Sequence, residues 1–328
     1  MNVVTSLGKV VGRRWLVIGW DRLARWALWI TLVGLSIFFG ILEPNFFTLD
    51  NWWNILRQGA PLALATTGAA VVLISGCFDL SVGSIAAMTG VVMVYSVWAF
   101  GTVPGIFIGL LTGAVLGAIN GSVIGKWKLD SFIATLATMT AIRGLAFFST
   151  DGIPLHGNIP QSMFIIGNAH IGPVPIPVVI ALCSVLGLHF FLTRTLLGRH
   201  LFAVGGNPEA ARIAGINIFS VRLWSFMISG VFASLAGIIL TSRLAVGAPN
   251  IAQWLALESI AAAVIGGIAL GGGTGSAIGV LLGVLLLTII RNGLNLLMVS
   301  HFVQMIATGL IIFMAIMVDR LKTRVRST

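Results

Sequence analysis

Long apolar runs separated by short polar gaps constrain this chain more than any other feature of its sequence. Many of these runs approach the length of about 20 residues that an α-helix needs to cross the hydrocarbon core of a bilayer. Hydrophobic residues make up 58% of the 328 residues and charged residues only 9%, against roughly 25% charged residues in soluble domains. The sequence therefore predicts an all-α, polytopic integral membrane protein.

About ten transmembrane helices fit the apolar runs at the usual length of a spanning helix. The predicted spans are 26–42, 58–75, 84–100, 104–124, 131–149, 176–193, 223–241, 256–270, 276–290 and 302–318. Most of the 19 Lys and Arg residues lie in gaps on the same side as the N-terminus, so the positive-inside rule places both termini in the cytoplasm. This distribution indicates membrane topology and not binding to nucleic acid. We expect one domain, 1–328, with cytoplasmic segments at 1–25, 194–222 and 319–328.

Two stretches rich in glycine and small polar residues interrupt the apolar pattern: "GCFDLSVGS" (76–84) and "GGIALGGGTGS" (266–276). Non-helical backbone at membrane depth is tolerated only where protein buries it or where it lines a watery cavity. Each stretch is therefore either a loop at the surface or a break inside the membrane, and we expect one or two broken or re-entrant segments. Their similar residue order hints at a duplicated unit. The candidates for the pathway or for the breaks are Asp79, Ser81, Gly83, Ser84, Gly271, Gly272 and Gly273.

Ionisable residues inside a membrane are candidates for function. Asp79 is the best placed of them, and two interpretations are open: it caps the helix that follows, or it contacts a polar substrate directly. Arg143 lies within a predicted span, and we expect it to pair with another helix or with a backbone carbonyl.

Glycines recur every four residues from Gly101 to Gly125. On a helix such a row forms a ridge of small residues, against which a neighbouring helix can approach closely. The neighbour is either another helix of this chain or a second copy at a dimer face.

A short polar stretch, "NPEAARIAGI" (207–216), separates two apolar spans. Asn207 suits an N-cap, Pro208 the first helical position, and Gly215 a left-handed stop. Glu209 favours the positive end of the helix dipole. The stretch predicts a short helix over 208–214, and because such helices are marginal in water, something must hold it. Either a partner docks on the small surface of Ala210, Ala211 and Ile213, or the stretch is a linker turn.

The sequence contains no signature of nucleotide binding or catalysis. "GSVIGKW" lacks the spacing of a phosphate-binding loop, and "GGGTGS" lacks that of a dinucleotide loop. The five His and two Cys residues show no metal-ligand spacing. We therefore expect neither an enzyme nor a cofactor or metal bound by this chain.

Three stretches together resemble the signatures of carbohydrate permeases of ABC importers of the ribose and xylose type. "GCFDLSVGS" resembles their G-G-[IF]-D-L-S-V-G-S segment, and "GRHLFAVGGNPEAARIAGI" and "GGIALGGGTGS" resemble the other two signatures in the same order. The stretch at Glu209 is also similar to the E-A-A-x-x-x-G motif of importer permeases, with Ala210, Ala211 and Gly215 in the matching places.

The resemblance implies a permease subunit in the bacterial inner membrane that forms the pathway for a monosaccharide or related polyol. It implies as partners a second permease copy or close paralogue, a cytoplasmic ATPase that binds ATP and Mg²⁺, and a periplasmic sugar-binding protein. The residues that it assigns to ATPase coupling are Asn207, Pro208, Glu209, Ala210, Ala211, Arg212 and Gly215.

Two other classes stay open at this point. An ion-coupled secondary transporter of a small polar solute would need embedded acidic or His residues, for which Asp79 is the sole strong candidate. A membrane-embedded enzyme would need a paired acid, base or nucleophile, and the sequence shows none.

Overall fold

The computed structural model describes Trp26 and residues 28–327 of the chain. The segment 1–25, predicted to be cytoplasmic, and Thr328 lie outside the described residues. The described residues divide into two compact units, one formed by those up to Thr48 together with those from Ile289 onward, and the other by Leu49–Thr288. Whether they form one functional domain stays a prediction.

The first unit contains α1 (Leu28–Leu42), a 3-10 helix (Pro44–Phe47), the end of α12 and helix α13 (His301–Ser327). Phe39 and Phe46 are buried there and stack with ring centroids 5.8 Å apart. Helix α13 continues through the predicted tail 319–328 as far as Ser327.

The second unit is also helical, with one small hairpin. Strands β1 (His170–Ile171) and β2 (Val174–Pro175) pair antiparallel and follow a 3-10 helix (Gln161–Phe164). The helices are α2 (Leu49–Ile74), α3 (Val82–Phe100), α4 (Thr102–Trp127), α5 (Ser131–Ser149), α6 (Ile165–Asn168), α7 (Ile176–Arg194), α8 (Leu196–Gly206), α9 (Pro208–Ile213), α10 (Ile218–Leu244), α11 (Leu255–Ile265) and the start of α12 (Ala277–Leu296).

Each predicted span overlaps a helix, which confirms the all-α membrane architecture. Within the described residues, six helices are long and apolar enough to cross a membrane: α3, α4, α5, α7, α10 and α12. Three further apolar helices are shorter, namely Leu28–Leu42, Leu255–Ile265 and His301–Met314. The count of ten crossings therefore stays a prediction.

The glycine ridge of α4 packs inside the chain. Gly109 faces α3, where a Cβ would lie 3.3 Å from Thr89 Cγ2, and Gly121 faces α10, where a Cβ would lie 2.7 Å from Leu223 Cα. The intervening glycines of the ridge, Gly113 and Gly117, are also buried. The interpretation as intramolecular packing is confirmed, and the alternative of a dimer face is wrong for these glycines, because α3 and α10 already cover them.

We expect Gly117→Val to destabilise the contact between α4 and α10, because its Cβ would lie 3.0 Å from Met227 Cα. Overpacking of this kind costs about 1 to 3 kcal/mol, and thermal unfolding of the detergent-solubilised protein measures it. Gly187→Val in α7 is the matched control, since no described atom lies within 4 Å of a Cβ placed there. Equal stability of the two variants would contradict the packing role.

Candidate functional site

The polar stretch 207–216 forms the predicted helix α9. Asn207 is its N-cap, and its Oδ1 accepts hydrogen bonds from the backbone N–H groups of Glu209 and Ala210, each at 3.0 Å. Gly215 adopts φ +83°, and the N–H of Ile216 donates to the Ala211 carbonyl at 3.0 Å. Both predicted ends of this helix are therefore confirmed.

The exposed face of α9 differs from the surface that the sequence suggested. Ala211 is only 4% exposed, so it supports the helix from beneath and is no part of a contact surface. Ile213 is 81% exposed, and Ala210 is exposed beside it. Glu209 and Arg212 form an exposed ion pair one turn apart. The exposed face of α9 therefore presents the large apolar side chain of Ile213 beside the ion pair.

Asp79 is buried in the connection between α2 and α3. Its Oδ1 accepts from the N–H of Ser81 at 3.0 Å and from the Ser81 hydroxyl at 2.5 Å, and its Oδ2 accepts from the hydroxyl of Ser229 in α10 at 2.8 Å. Asn120 of α4 donates to the Ser81 hydroxyl at 2.8 Å. Ser81 is the N-cap residue of α3, although its side chain makes no capping bond, so Asp79 holds the preceding turn and is not the cap itself.

This network lies well inside the helical unit. Asn120 precedes the end of α4 at Trp127, and Ser229 follows the start of α10 at Ile218. At 1.5 Å per residue, these two helices extend past the network by about 10 and 16 Å. Helix α3 therefore begins at depth within the bundle.

The other candidates from 76–84 are also buried. The Ser84 hydroxyl donates to the Ser81 carbonyl at 2.8 Å. Gly83 lies against the carbonyl of Ala252, which leaves no room for a Cβ. The structure thus brings Asp79, Ser81 and Ser84 together.

Residues 76–81 of the first glycine-rich stretch and all of the second, 266–276, are non-helical, and both stretches meet the end of α8. The N–H of Gly273 donates to the carbonyl of Ile74 at 2.9 Å. A Cβ at Gly272 would lie 2.7 Å from Gly76 Cα, and one at Gly273 would lie 2.7 Å from Gly206 Cα. We call this cluster the glycine junction and define it as Ile74, Gly76, Gly205, Gly206, Gly271, Gly272 and Gly273.

The close approach of the backbone segments explains why glycine occupies most positions of the junction. Gly76, Gly272 and Gly273 have φ values of +80°, +83° and +73°, a region that residues with a Cβ rarely adopt. A Cβ at Gly205 would overlap the Ile74 carbonyl oxygen. Because Gly206 directly precedes Asn207, the cap of α9, the junction connects both breaks to the short polar helix.

Arg143 supports a third non-helical segment, the connection 245–254 between α10 and α11. Its Nη1 donates to the carbonyls of Pro249 at 2.7 Å and Ile251 at 2.8 Å, which confirms the expected pairing with backbone carbonyls. Sequence reasoning missed this segment, although Gly247 and Pro249 in "VGAPNIAQW" directly after an apolar span were a signal of it.

Helices long enough to span a bilayer, a helix that begins at depth within the bundle and a capped polar helix joined to both glycine-rich stretches are typical of a membrane transport subunit. A sequence profile of the family described as "Branched-chain amino acid transport system / permease component" matches residues 51–318. The chain belongs to this family of permease components.

Its relatives match over nearly the whole chain. The ribose import permease protein RbsC of Escherichia coli strain K12 is 37% identical over 95% of this chain and 98% of its own length. RbsC of Bacillus subtilis strain 168 is 41% identical over 88% of this chain and 90% of its own. The L-arabinose transport system permease protein AraH of Escherichia coli strain K12 is 35% identical over 94% of this chain and 93% of its own. No solved structure matches the chain.

We expect Asp79→Asn to stay folded, because an amide can accept from Ser81 and donate to the hydroxyl of Ser229. Asp79→Leu removes all three hydrogen bonds, and each buried group that loses its partner costs about 1 to 3 kcal/mol. Thermal unfolding of the solubilised protein measures the difference. A well-folded Asp79→Asn protein that no longer transports would instead support a direct role of the charge.

Proposed function

We propose that this chain is the permease subunit of an ATP-binding-cassette importer and forms the pathway for a monosaccharide or related polyol across the bacterial inner membrane. The observation that carries the proposal is the identity of 37–41% with ribose import permeases over nearly the full chain. The arabinose permease, at 35% identity, supports the same substrate class.

The partners follow from this class of subunit. A periplasmic sugar-binding protein delivers the substrate, a second copy or close paralogue completes the pathway, and a separate cytoplasmic ATPase binds ATP and Mg²⁺. The permease binds no nucleotide itself and is no enzyme. Both termini and α9 lie in the cytoplasm, and the chain crosses the membrane ten times.

The glycine junction supports a route from the ATPase to the pathway. The ATPase docks on the exposed face of α9, and its movement reaches Gly205 and Gly206 at the end of α8. Because both breaks contact these glycines through backbone atoms, a rigid displacement of α8 and α9 shifts both breaks together. Such rigid-body transmission is a common form of conformational switching.

An ion-coupled transporter is the weaker alternative. The Asp79 carboxylate, its best candidate for ion coupling, accepts three hydrogen bonds from Ser81 and Ser229. That arrangement suits a residue that fixes a turn. The relatives are import permeases, and none of those described above is an ion-coupled carrier by name.

Uptake into proteoliposomes distinguishes the two classes. The permease is reconstituted with its ATPase and binding protein, and uptake of radiolabelled D-ribose and L-arabinose is measured. We expect uptake that requires ATP and is unaffected by a protonophore. Uptake driven by a proton or sodium gradient without ATP would contradict the proposal.

We expect Ile213→Asp to leave the permease folded but to weaken ATPase binding by ten-fold or more, since burial of an Ile side chain is worth about 1.5 to 3 kcal/mol. Copurification of the ATPase measures binding. Glu209→Gln is the control on the same exposed face, and its effect is small because a dipole contact contributes about 0.3 to 1 kcal/mol. Ala211→Trp is expected to disrupt the fold, since Ala211 is buried. Normal ATPase binding by Ile213→Asp would show that α9 is not the docking surface.

A further inference from the structure

The connection 245–254 runs beside a membrane-spanning helix instead of passing over its end. A Cβ at Gly247 would lie 3.2 Å from the carbonyl oxygen of Gly90, midway along α3. Five residues later, the carbonyl of Ala252 contacts Gly83 at the start of α3. Seven residues of α3 separate these two points, so the connection follows the helix for about 10 Å along its axis.

The chain holds this irregular backbone in place from one side. Arg143 binds the carbonyls of Pro249 and Ile251. Ala245 and Ala252 have φ values of +54° and +58°, a conformation that persists in residues with a Cβ only where the surroundings fix it. A guanidinium group at membrane depth is costly and typically marks a polar pathway.

The connection also carries polar side chains that the described chain does not cover. Asn250 and Gln253 are exposed, and Trp254 is 49% exposed. Amide groups that face lipid chains lose their hydrogen bonds at a cost of several kcal/mol. Non-helical backbone at this depth must be buried in protein or line a water-filled cavity. A water-filled pathway satisfies both conditions, because water hydrates the exposed amide groups and also reaches the non-helical backbone.

We propose that Asn250, Gln253 and Trp254 line the translocation pathway and contact the sugar as it crosses. The inference rests on the proposed function for the chemistry of the substrate. Amide side chains both donate and accept hydrogen bonds, as sugar hydroxyls require. An indole ring adds an apolar face for the C–H groups of a sugar ring and an N–H donor. Transporters commonly place substrate sites at such interruptions of helical structure.

The reactivity of an introduced cysteine tests whether the connection 245–254 faces water, and this test does not depend on the sugar. Gln253→Cys is introduced into a Cys183→Ser background, because Cys183 is exposed whereas Cys77 is buried. The assembled complex is treated with methanethiosulfonate ethyltrimethylammonium, a water-soluble reagent. The matched control is Leu186→Cys in the same background, at a 68% exposed position on α7.

We expect Gln253→Cys to react at least about ten-fold faster than Leu186→Cys, because the thiolate is the reactive form and needs water to form. Equally slow reaction of the two would overturn the inference, since it would place the connection against lipid or against the second copy.

Uptake by Trp254 variants tests the contact with the sugar. In the reconstituted complex, we expect Trp254→Ala to lower sugar uptake about three- to ten-fold, the range for loss of one aromatic contact, and Trp254→Phe to retain most of it. ATP hydrolysis stimulated by the binding protein should stay near the wild-type rate. Trp224→Ala is the matched control, since Trp224 is similarly exposed at 45% near the start of α10, and its uptake should be unchanged.

The outcomes separate the two proposals. If the wild-type complex carries no sugar, the proposed function fails. If the wild-type complex carries sugar and Trp254→Ala carries it equally fast, the function stands and this inference is overturned. Loss of association between permease copies in Trp254→Ala, measured by native mass spectrometry, would also overturn it, because Trp254 would then belong to the interface.

Discussion

Direct contact between backbone atoms is the constraint on which this structure depends. Where Gly117 and Gly121 of α4 lie against α10, and where Gly272 lies against Gly76, no side chain separates the two segments. The first kind of contact joins two continuous helices, and the second lets two helix breaks pack on each other. Because a bilayer offers no water to unpaired backbone groups, such breaks are stable only if protein encloses them or a watery cavity reaches them.

The breaks are held by different means. At the glycine junction, a single backbone hydrogen bond from Gly273 to Ile74 joins them. On the α3 side, Asp79 bonds the turn before the helix and reaches Ser229 of α10. The carboxylate therefore stabilises one break, while the glycines allow the two breaks to touch.

Within the unit Leu49–Thr288, the glycine junction and the connection 245–254 suit two different steps of transport. Helix α9 is joined through Gly206 to the junction, which suits transmission of movement from a cytoplasmic motor. The connection 245–254 passes along α3 with its amides and Trp254 uncovered, which suits contact with a polar substrate. We propose that movement enters at the first site and acts on substrate at the second, because residues 77–81 lead from the junction into α3, along which the connection runs.

The sequence by itself determined the class of protein, the apolar helices and the capped helix α9, because hydropathy and capping are local properties. It also located both glycine-rich breaks and the residues around Asp79. Only the tertiary structure decided that the breaks meet each other and α8, that Ala211 is buried while Ile213 is exposed, and that 245–254 follows α3. These facts depend on which segments become neighbours in space, and neither composition nor periodicity along one segment contains that information.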